Sequence, residues 1–252
     1  MDLPQSIYFF TLHKCASTLF AKHVLKNLDG LQGVDYAAQL FNSARPLRFE
    51  FRPSGHAYGP LRVSLSEDAV VYRQLVERCL QPEFLADKKA ICHVRDPRDI
   101  LISHYHSAGW THPISRNPEI AEKQLAARRM VQALSVDEYA IQQAPALRTY
   151  FERVSGVLAH AHDGVWLRYE DMIARSPAFA QKIKGAMPMS DQVLAELFRL
   201  SEPLEKEDRT AHKRSGKAEQ FKDRLAPHTR HVLADVLGEC LERFGYFDLH
   251  GR

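Results

Sequence analysis

Short apolar runs alternate along this chain with longer stretches in which apolar residues recur every three or four positions. The first pattern reads as buried strand and the second as amphipathic helix. The spacing predicts strands over Ile7–Thr11, Arg62–Leu65, Ala90–Val94 and Gly164–Arg168. It predicts helices over Ser17–Leu28, Ala69–Cys79, Arg98–Ser107, Glu119–Leu134, Val136–Leu158 with an interruption at Pro145, Pro177–Ala186, Asp191–Leu200 and Pro227–Phe244. Gln32–Gly59 lacks periodicity and reads as irregular; Glu202–Lys222 is dense in charge and reads as a long loop. Strands alternating with helices favour a parallel sheet covered on its faces. The expected fold is therefore α/β, a single domain over residues 1–252 with a central, mainly parallel sheet flanked by helices.

Composition narrows the class. A chain of 252 residues, 45% hydrophobic and 26% charged, is ordinary for a soluble domain with a real core. Its net charge of +3 suits an anionic small ligand and is too small to imply nucleic acid. No apolar run reaches the roughly 18 residues of a membrane-spanning helix. Asp2 and Pro4 lead directly into the first strand, so no signal peptide is expected. Cys15, Cys79, Cys92 and Cys240 are widely spaced, which fits reduced thiols in a cytoplasmic protein and neither a disulfide framework nor a zinc site. The His104/His106 pair has no Cys or Asp partner at ligand spacing and reads as cleft lining, so no metal is expected.

Four stretches carry candidate chemistry. Thr11-Leu12-His13-Lys14-Cys15-Ala16-Ser17-Thr18 follows a strand and opens a helix. A cation, hydroxyls and unpaired amides at one helix N-terminus favour an anion. The Walker pattern G-x-x-x-x-G-K-S/T is absent. Arg95-Asp96-Pro97-Arg98-Asp99 also follows a strand, with Ser103 about two helical turns on. Arg95 and Ser103 there either reach one anionic group, or Arg95 pairs with Asp96 and Ser103 is a surface residue. Tyr169-Glu170-Asp171 ends a later strand, with the acids capping a helix or pairing with Arg168 or Arg175 and the Tyr169 hydroxyl able to bond a base edge. Arg214-Ser215-Gly216, with Lys222 beyond, is either a solvated basic loop or a phosphate clamp.

In order and spacing these stretches resemble the sulfotransferases that use 3′-phosphoadenosine 5′-phosphosulfate (PAPS). That family's phosphosulfate loop runs Thr/Ser, two variable residues, Lys, Ser/Cys, Gly/Ala and two hydroxyl residues, as Thr11 to Thr18 do. Its 3′-phosphate motif sets Arg and Ser eight apart, as in Arg95 and Ser103; its Tyr-Glu-Asp is matched by Tyr169–Asp171; its Arg-x-Gly followed by Lys is matched by Arg214, Gly216 and Lys222. Phe244-Gly245-Tyr246 resembles the family's end, so the likeness spans about residues 7–246. Leu19 stands where an aromatic is common, which leaves adenine stacking to another residue such as Phe221; Ser215 replaces a frequent Lys, and the cytosolic animal branch's dimerisation segment is not evident.

The resemblance implies a P-loop nucleotide-binding-like fold and transfer of a sulfuryl group from PAPS to a hydroxyl or amine of a small-molecule or carbohydrate acceptor, without a metal. Lys14 would neutralise the leaving oxygen. Cys15, Ala16, Ser17 and Thr18 would form the 5′-phosphate loop, and Arg95, Ser103 and Arg214, with Ser215 and Gly216, would hold the 3′-phosphate. The family's base is a His or Glu between the two phosphate motifs, which points to His56 with Glu50 as the alternative. Phe41, Phe49, Phe51, Tyr58, Tyr105 and Trp110 either line an acceptor cleft or form core. Two rival readings stand beside this one: a P-loop small-molecule kinase needing ATP and Mg²⁺, and a non-catalytic module binding a 3′-phosphorylated nucleotide. Oligomeric state is not readable.

Overall fold

Every residue of Ile7–Thr11 is buried, the pattern of a central strand in a parallel sheet covered on both faces. In the computed structural model, which describes residues 3–42, 49–63, 70–115, 118–206 and 215–247, this segment is β1. After it come α1 (Ser17–Leu19), continued by a π-helical turn (Phe20–Val24), β2 (Gln32–Val34), α2 (Tyr36–Asn42), β3 (His56–Arg62), α3 (Val70–Cys79), α4 (Pro82–Leu85) and β4 (Lys89–Val94). The chain goes on through α5 (Pro97–His106), a second π-helical turn (Ser107–Thr111), α6 (Pro118–Gln132), α7 (Val136–His160) and β5 (Asp163–Arg168). It ends with α8 (Tyr169–Ile173), α9 (Pro177–Ala186), α10 (Asp191–Ser201), α11 (Phe221–Arg224) and α12 (Pro227–Arg243).

The five strands form one sheet in the order β2-β3-β1-β4-β5, and every adjacent pair is parallel. The expected α/β fold with a parallel sheet is borne out. By contact density the chain divides into two compact units, Met1–Val94 with Glu152–Glu202 and Arg95–Phe151 with Pro203–Arg252. The first holds the sheet. On one sheet face Ile7, Phe9, Ile91 and Leu167 pack with Phe20 and Val24 of the π turn, Met172 of α8, Phe179 and Ile183 of α9 and Leu197 of α10. On the other, Tyr8 stacks on Tyr58 at 5.1 Å and meets Phe84 edge-on at 5.3 Å. In the second unit, α5 packs against α11 and α12, and Phe151 of α7 meets Phe244 edge-on at 5.4 Å. Among the described residues no helix is long and apolar enough to cross a membrane.

Three expectations need correction. The strand expected at Arg62–Leu65 lies earlier, at His56–Arg62, beginning inside the segment expected to be irregular; β2 and α2 lie in that segment too. Gly59-Pro60 reads as a break in sequence, yet here it occupies a bulge: Tyr8 pairs with Tyr58 and Phe10 with Leu61, so two β3 residues face one of β1. A bulge is where a sheet tolerates proline. Gly59 has φ 150° and lies so close to β1 that a Cβ there would stand 2.7 Å from the Phe9 carbonyl oxygen. Second, the helix expected over Ser17–Leu28 is a single α turn that widens at Phe20, with the Leu25 amide bonding the Phe20 carbonyl five residues back at 2.9 Å. Third, α7 runs through Pro145 without a break. Its buried stripe of Ala140, Ala144, Leu147 and Phe151 holds the turn that lacks the proline's amide bond.

Candidate active site

In an open parallel sheet, ligands collect outside the carboxyl ends of the strands, where the connections diverge to opposite sides. Here that place is the end of β1, since the chain leads from β1 to β3 on one side and then to β4 on the other. The loop leaving β1 is Leu12–Ala16. Lys14 (φ 65°) and Ala16 (φ 56°) both adopt the left-handed conformation, costly for residues with a Cβ. Ala16 stands at the N-cap of α1 and its carbonyl accepts the Leu19 and Phe20 amides at 2.9 and 3.2 Å. Such a turn aims successive amides at one point and makes an anion-binding concavity.

Side chains from the neighbouring strands hold this loop. Thr11 Oγ1 donates to the His93 carbonyl across the β1–β4 pair at 3.2 Å. The His93 ring is fully buried, 4.6 Å from the Phe20 ring, and its Nδ1 lies 2.8 Å from the Cys15 carbonyl oxygen. A carbonyl only accepts, so Nδ1 carries the proton in this contact. The Cys15 thiol is buried and donates to the His13 carbonyl at 3.6 Å. On the β3 side, Arg62 pairs in register with Thr11, and its Nε donates to Ser17 Oγ at 3.2 Å. Sequence reasoning assigned neither His93 nor Arg62. The only signal was their position as the next-to-last and last residues of apolar strands flanking β1. Tyr169 opens α8 with its ring buried, 6.4 Å from that of His93.

The second unit begins at Arg95, the residue after β4. Asp96 caps α5, its Oδ1 accepting from the Arg98 amide at 2.9 Å, with Pro97 in the first turn. The pairing differs from the Arg95–Asp96 pair considered above. Arg98 makes a two-pronged contact with Asp96, Nε to Oδ1 at 3.0 Å and Nη2 to Oδ2 at 2.7 Å, while Arg95 Nη2 reaches Asp99 Oδ2 at 3.3 Å. The same Arg95 nitrogen donates to the Lys217 carbonyl at 2.9 Å. Asp99 is fully buried, and its Oδ1 accepts the Phe221 amide at 3.0 Å. Burial pushes its carboxyl above the ordinary value and outweighs the opposing pull of Arg95. Arg98 also donates to the Tyr246 carbonyl at 2.9 Å and lies 3.6 Å over the Phe221 ring.

The Arg95 bond to the Lys217 carbonyl ties the residue after β4 to the segment that follows Gly216. Ser215 is buried, with its hydroxyl donating to Gln220 Oε1 at 3.2 Å; Gly216 has φ 72°; Ser103 is half-buried on α5. Arg214 lies outside the described residues. Phe221 is buried with Arg98 across one face, so it is not an open stacking platform. His104 bonds the Tyr139 hydroxyl at 2.6 Å. Among the described residues no three His, Cys, Asp or Glu side chains are gathered that could hold a metal ion.

His56 is not brought to the loop. It is the first residue of β3, whose next residue pairs with Ile7, the first of β1, whereas the loop follows Thr11 at the level of Arg62. Six residues of strand at about 3.3 Å each separate the two ends by about 20 Å. His56 Nδ1 bonds the Ser54 carbonyl at 2.9 Å, and its ring stacks on Tyr58 at 5.6 Å. Glu50 is exposed, its amide accepted by the Tyr36 hydroxyl at 3.0 Å.

The class defined by this architecture is an α/β fold with a five-stranded parallel sheet flanked by helices and a tight turn after its central first strand. Among solved structures, the chain has the fold of sulfotransferases. It is similar to mouse sulfotransferase SULT7A1 complexed with PAP, with TM-score 0.55 and 15% identity over 94% of this chain and 84% of that one. It is similar to retinol dehydratase with androsterone and inactive cofactor PAP, with TM-score 0.55, 16% identity and coverage of 96% and 82%. Retinol dehydratase with retinol and PAP gives TM-score 0.56 at 15% identity and the same coverage. No family model matches the chain, and no curated protein matches it in sequence.

Proposed function

We propose that residues 1–252 are one PAPS-dependent sulfotransferase domain that moves a sulfuryl group to a hydroxyl or amine of a small-molecule or carbohydrate acceptor. The observation that carries this reading is the loop Leu12–Ala16, with two left-handed residues, at the carboxyl end of the central strand in a fold shared with PAP-bound sulfotransferases. The residues present fit the donor. Lys14, the Ser17 and Thr18 hydroxyls and the loop amides suit a 5′-phosphosulfate. Arg95, fixed by Asp99 and the Lys217 carbonyl, and Ser103 suit a 3′-phosphate.

In the reaction the S–O bond to the phosphate breaks and its electron pair stays on the phosphate oxygen, beside Lys14. The acceptor oxygen or nitrogen forms the new bond to sulfur, and its proton leaves to a base or to water. The products are the sulfated acceptor, adenosine 3′,5′-bisphosphate (PAP) and a proton. The chain's contribution is positioning and fixed positive charge where charge develops. The test is a sulfate-transfer assay with PAPS over a mixed panel of phenol, alcohol, amine and sugar acceptors, run beside calorimetry with PAP and ADP. Transfer together with tighter binding of PAP than of ADP supports the reading. ADP binding the tighter would move the protein to the kinases, and PAP binding without transfer to any acceptor would leave a binding module.

A further inference from the structure

Arg95 and Asp99, one helical turn apart, meet two backbone groups that are also four residues apart, the Lys217 carbonyl and the Phe221 amide. Asp99 is fully buried and uses both carboxylate oxygens: Oδ1 accepts the Phe221 amide at 3.0 Å, and Oδ2 faces Arg95 Nη2 at 3.3 Å. Arg95, itself buried, donates from that same nitrogen to the Lys217 carbonyl at 2.9 Å. Between the two anchor points Gln220 closes the segment on itself. Its Nε2 donates to the Lys217 carbonyl at 2.8 Å, and its Oε1 accepts the Ser215 hydroxyl at 3.2 Å. Gly216, at φ 72°, lies inside this closed turn. A guanidinium withdrawn from water needs a charge partner to stay in place before a ligand arrives. Asp99 meets that need while dividing one charge between two donors. Its 3.3 Å contact is long for a charge-assisted bond, which leaves Arg95 with attraction for an incoming anion.

From this geometry we infer that Asp99 and Gln220 are positioning residues for the 3′-phosphate. Neither touches it. Asp99 sets the Arg95 guanidinium and the Ser215–Phe221 segment in one fixed arrangement, and Gln220 holds the turn of that segment. The assignment rests on the donor reading above, in which Arg95, Ser215 and Gly216 take the 3′-phosphate. A cation and a turn that are already in place need no ordering when the ligand arrives, so their full attraction goes into affinity. Preference for a 3′-phosphorylated nucleotide is therefore set by the buried carboxylate and the Gln220 amide together with the arginine.

The experiment is calorimetric titration of wild type, Asp99→Asn and Gln220→Met with PAP and with AMP, which lacks the 3′-phosphate, alongside thermal melts. Asp99→Asn keeps an oxygen for the Phe221 amide and removes the charge that faces Arg95. It is expected to weaken PAP about threefold to thirtyfold, less than loss of a direct charge-assisted contact, and AMP by less than about twofold. Gln220→Met keeps the length of the side chain and removes both of its bonds, so PAP should fall about threefold to tenfold with AMP again within about twofold. Equal losses for PAP and AMP would make the residues structural only and overturn the assignment. Undiminished or tighter PAP binding would overturn it too, because the carboxylate would then oppose the phosphate. Should Asp99→Asn fail to fold, Gln220→Met decides by the same criteria, since both residues act through the one segment. Wild-type protein that binds PAP no more tightly than AMP would overturn the donor reading and this assignment with it.

Discussion

His93 offers the sharpest test of how the loop is held. His93→Phe keeps a ring of similar size beside Phe20 and Phe9 but removes the Nδ1–H that meets the Cys15 carbonyl at 2.8 Å. Because Cys15 is buried, water does not readily replace the donor. A buried carbonyl left without its partner costs about 1–3 kcal/mol. For a chain of this size each kcal/mol lowers the melting temperature by about 2–4 °C, so a fall of roughly 2–12 °C is expected. If the cost is borne by the loop, donor binding must also supply the lost order. At about 1.4 kcal/mol per decade, PAP affinity then drops about fivefold to 150-fold. His93→Asn is the control: its amide nitrogen can stand near the Nδ1 position, while the lost ring contacts open a cavity beside Phe20. The Asn variant should therefore be destabilised at least as much as the Phe variant, yet bind PAP more tightly. Differential scanning calorimetry and titration with PAP read both quantities. If the Phe variant binds PAP as well as wild type, or if affinity merely follows melting temperature in both variants, the bond to Cys15 does not hold the loop.

Lys14→Ala should lower kcat about 10²–10³-fold, like loss of one transition-state donor, with a smaller fall in PAP affinity; near-native turnover in the assay would remove Lys14 from catalysis. His56→Ala should keep kcat within about threefold, because one strand length of about 20 Å separates it from the loop, and a hundredfold loss would contradict that placement. Asp99 binds its proton more readily in the folded state than in the unfolded chain, whose reference value is 3.8. Its contribution to stability is thus full below about pH 4 and falls as pH rises through the raised value, by at most about 1.4 kcal/mol per pH unit. Asp99→Asn abolishes that slope, so the wild-type advantage in urea unfolding should decline from pH 4 upward; an advantage that grows with pH would mean the Arg95 pair outweighs burial.

The sequence by itself determined the elements whose signals are local. β1, β4 and β5 were legible as apolar runs, and the turn after β1 as a lysine with small and hydroxyl residues ahead of a helix. The placement of Arg95 after a strand and of Ser103 on the following helix was legible too, since it needs only one strand end and one helix. What only the tertiary structure decided depends on residues far apart in the chain. Gly59-Pro60 breaks a strand in any local reading; in the fold it fills a bulge because the Phe9 carbonyl approaches too closely for a side chain. The switch of partners, Arg98 to Asp96 and Arg95 to Asp99, follows from burying Asp99 against the Phe221 amide, 122 positions away. His56 fell in the interval to which the resemblance assigns a base, but at the end of its strand away from the loop, since a parallel sheet sends its two ends to opposite edges. Arg62 and His93 were unremarkable letters at strand ends; the register of three parallel strands, set by packing on both faces of the sheet, is what delivers them to the loop.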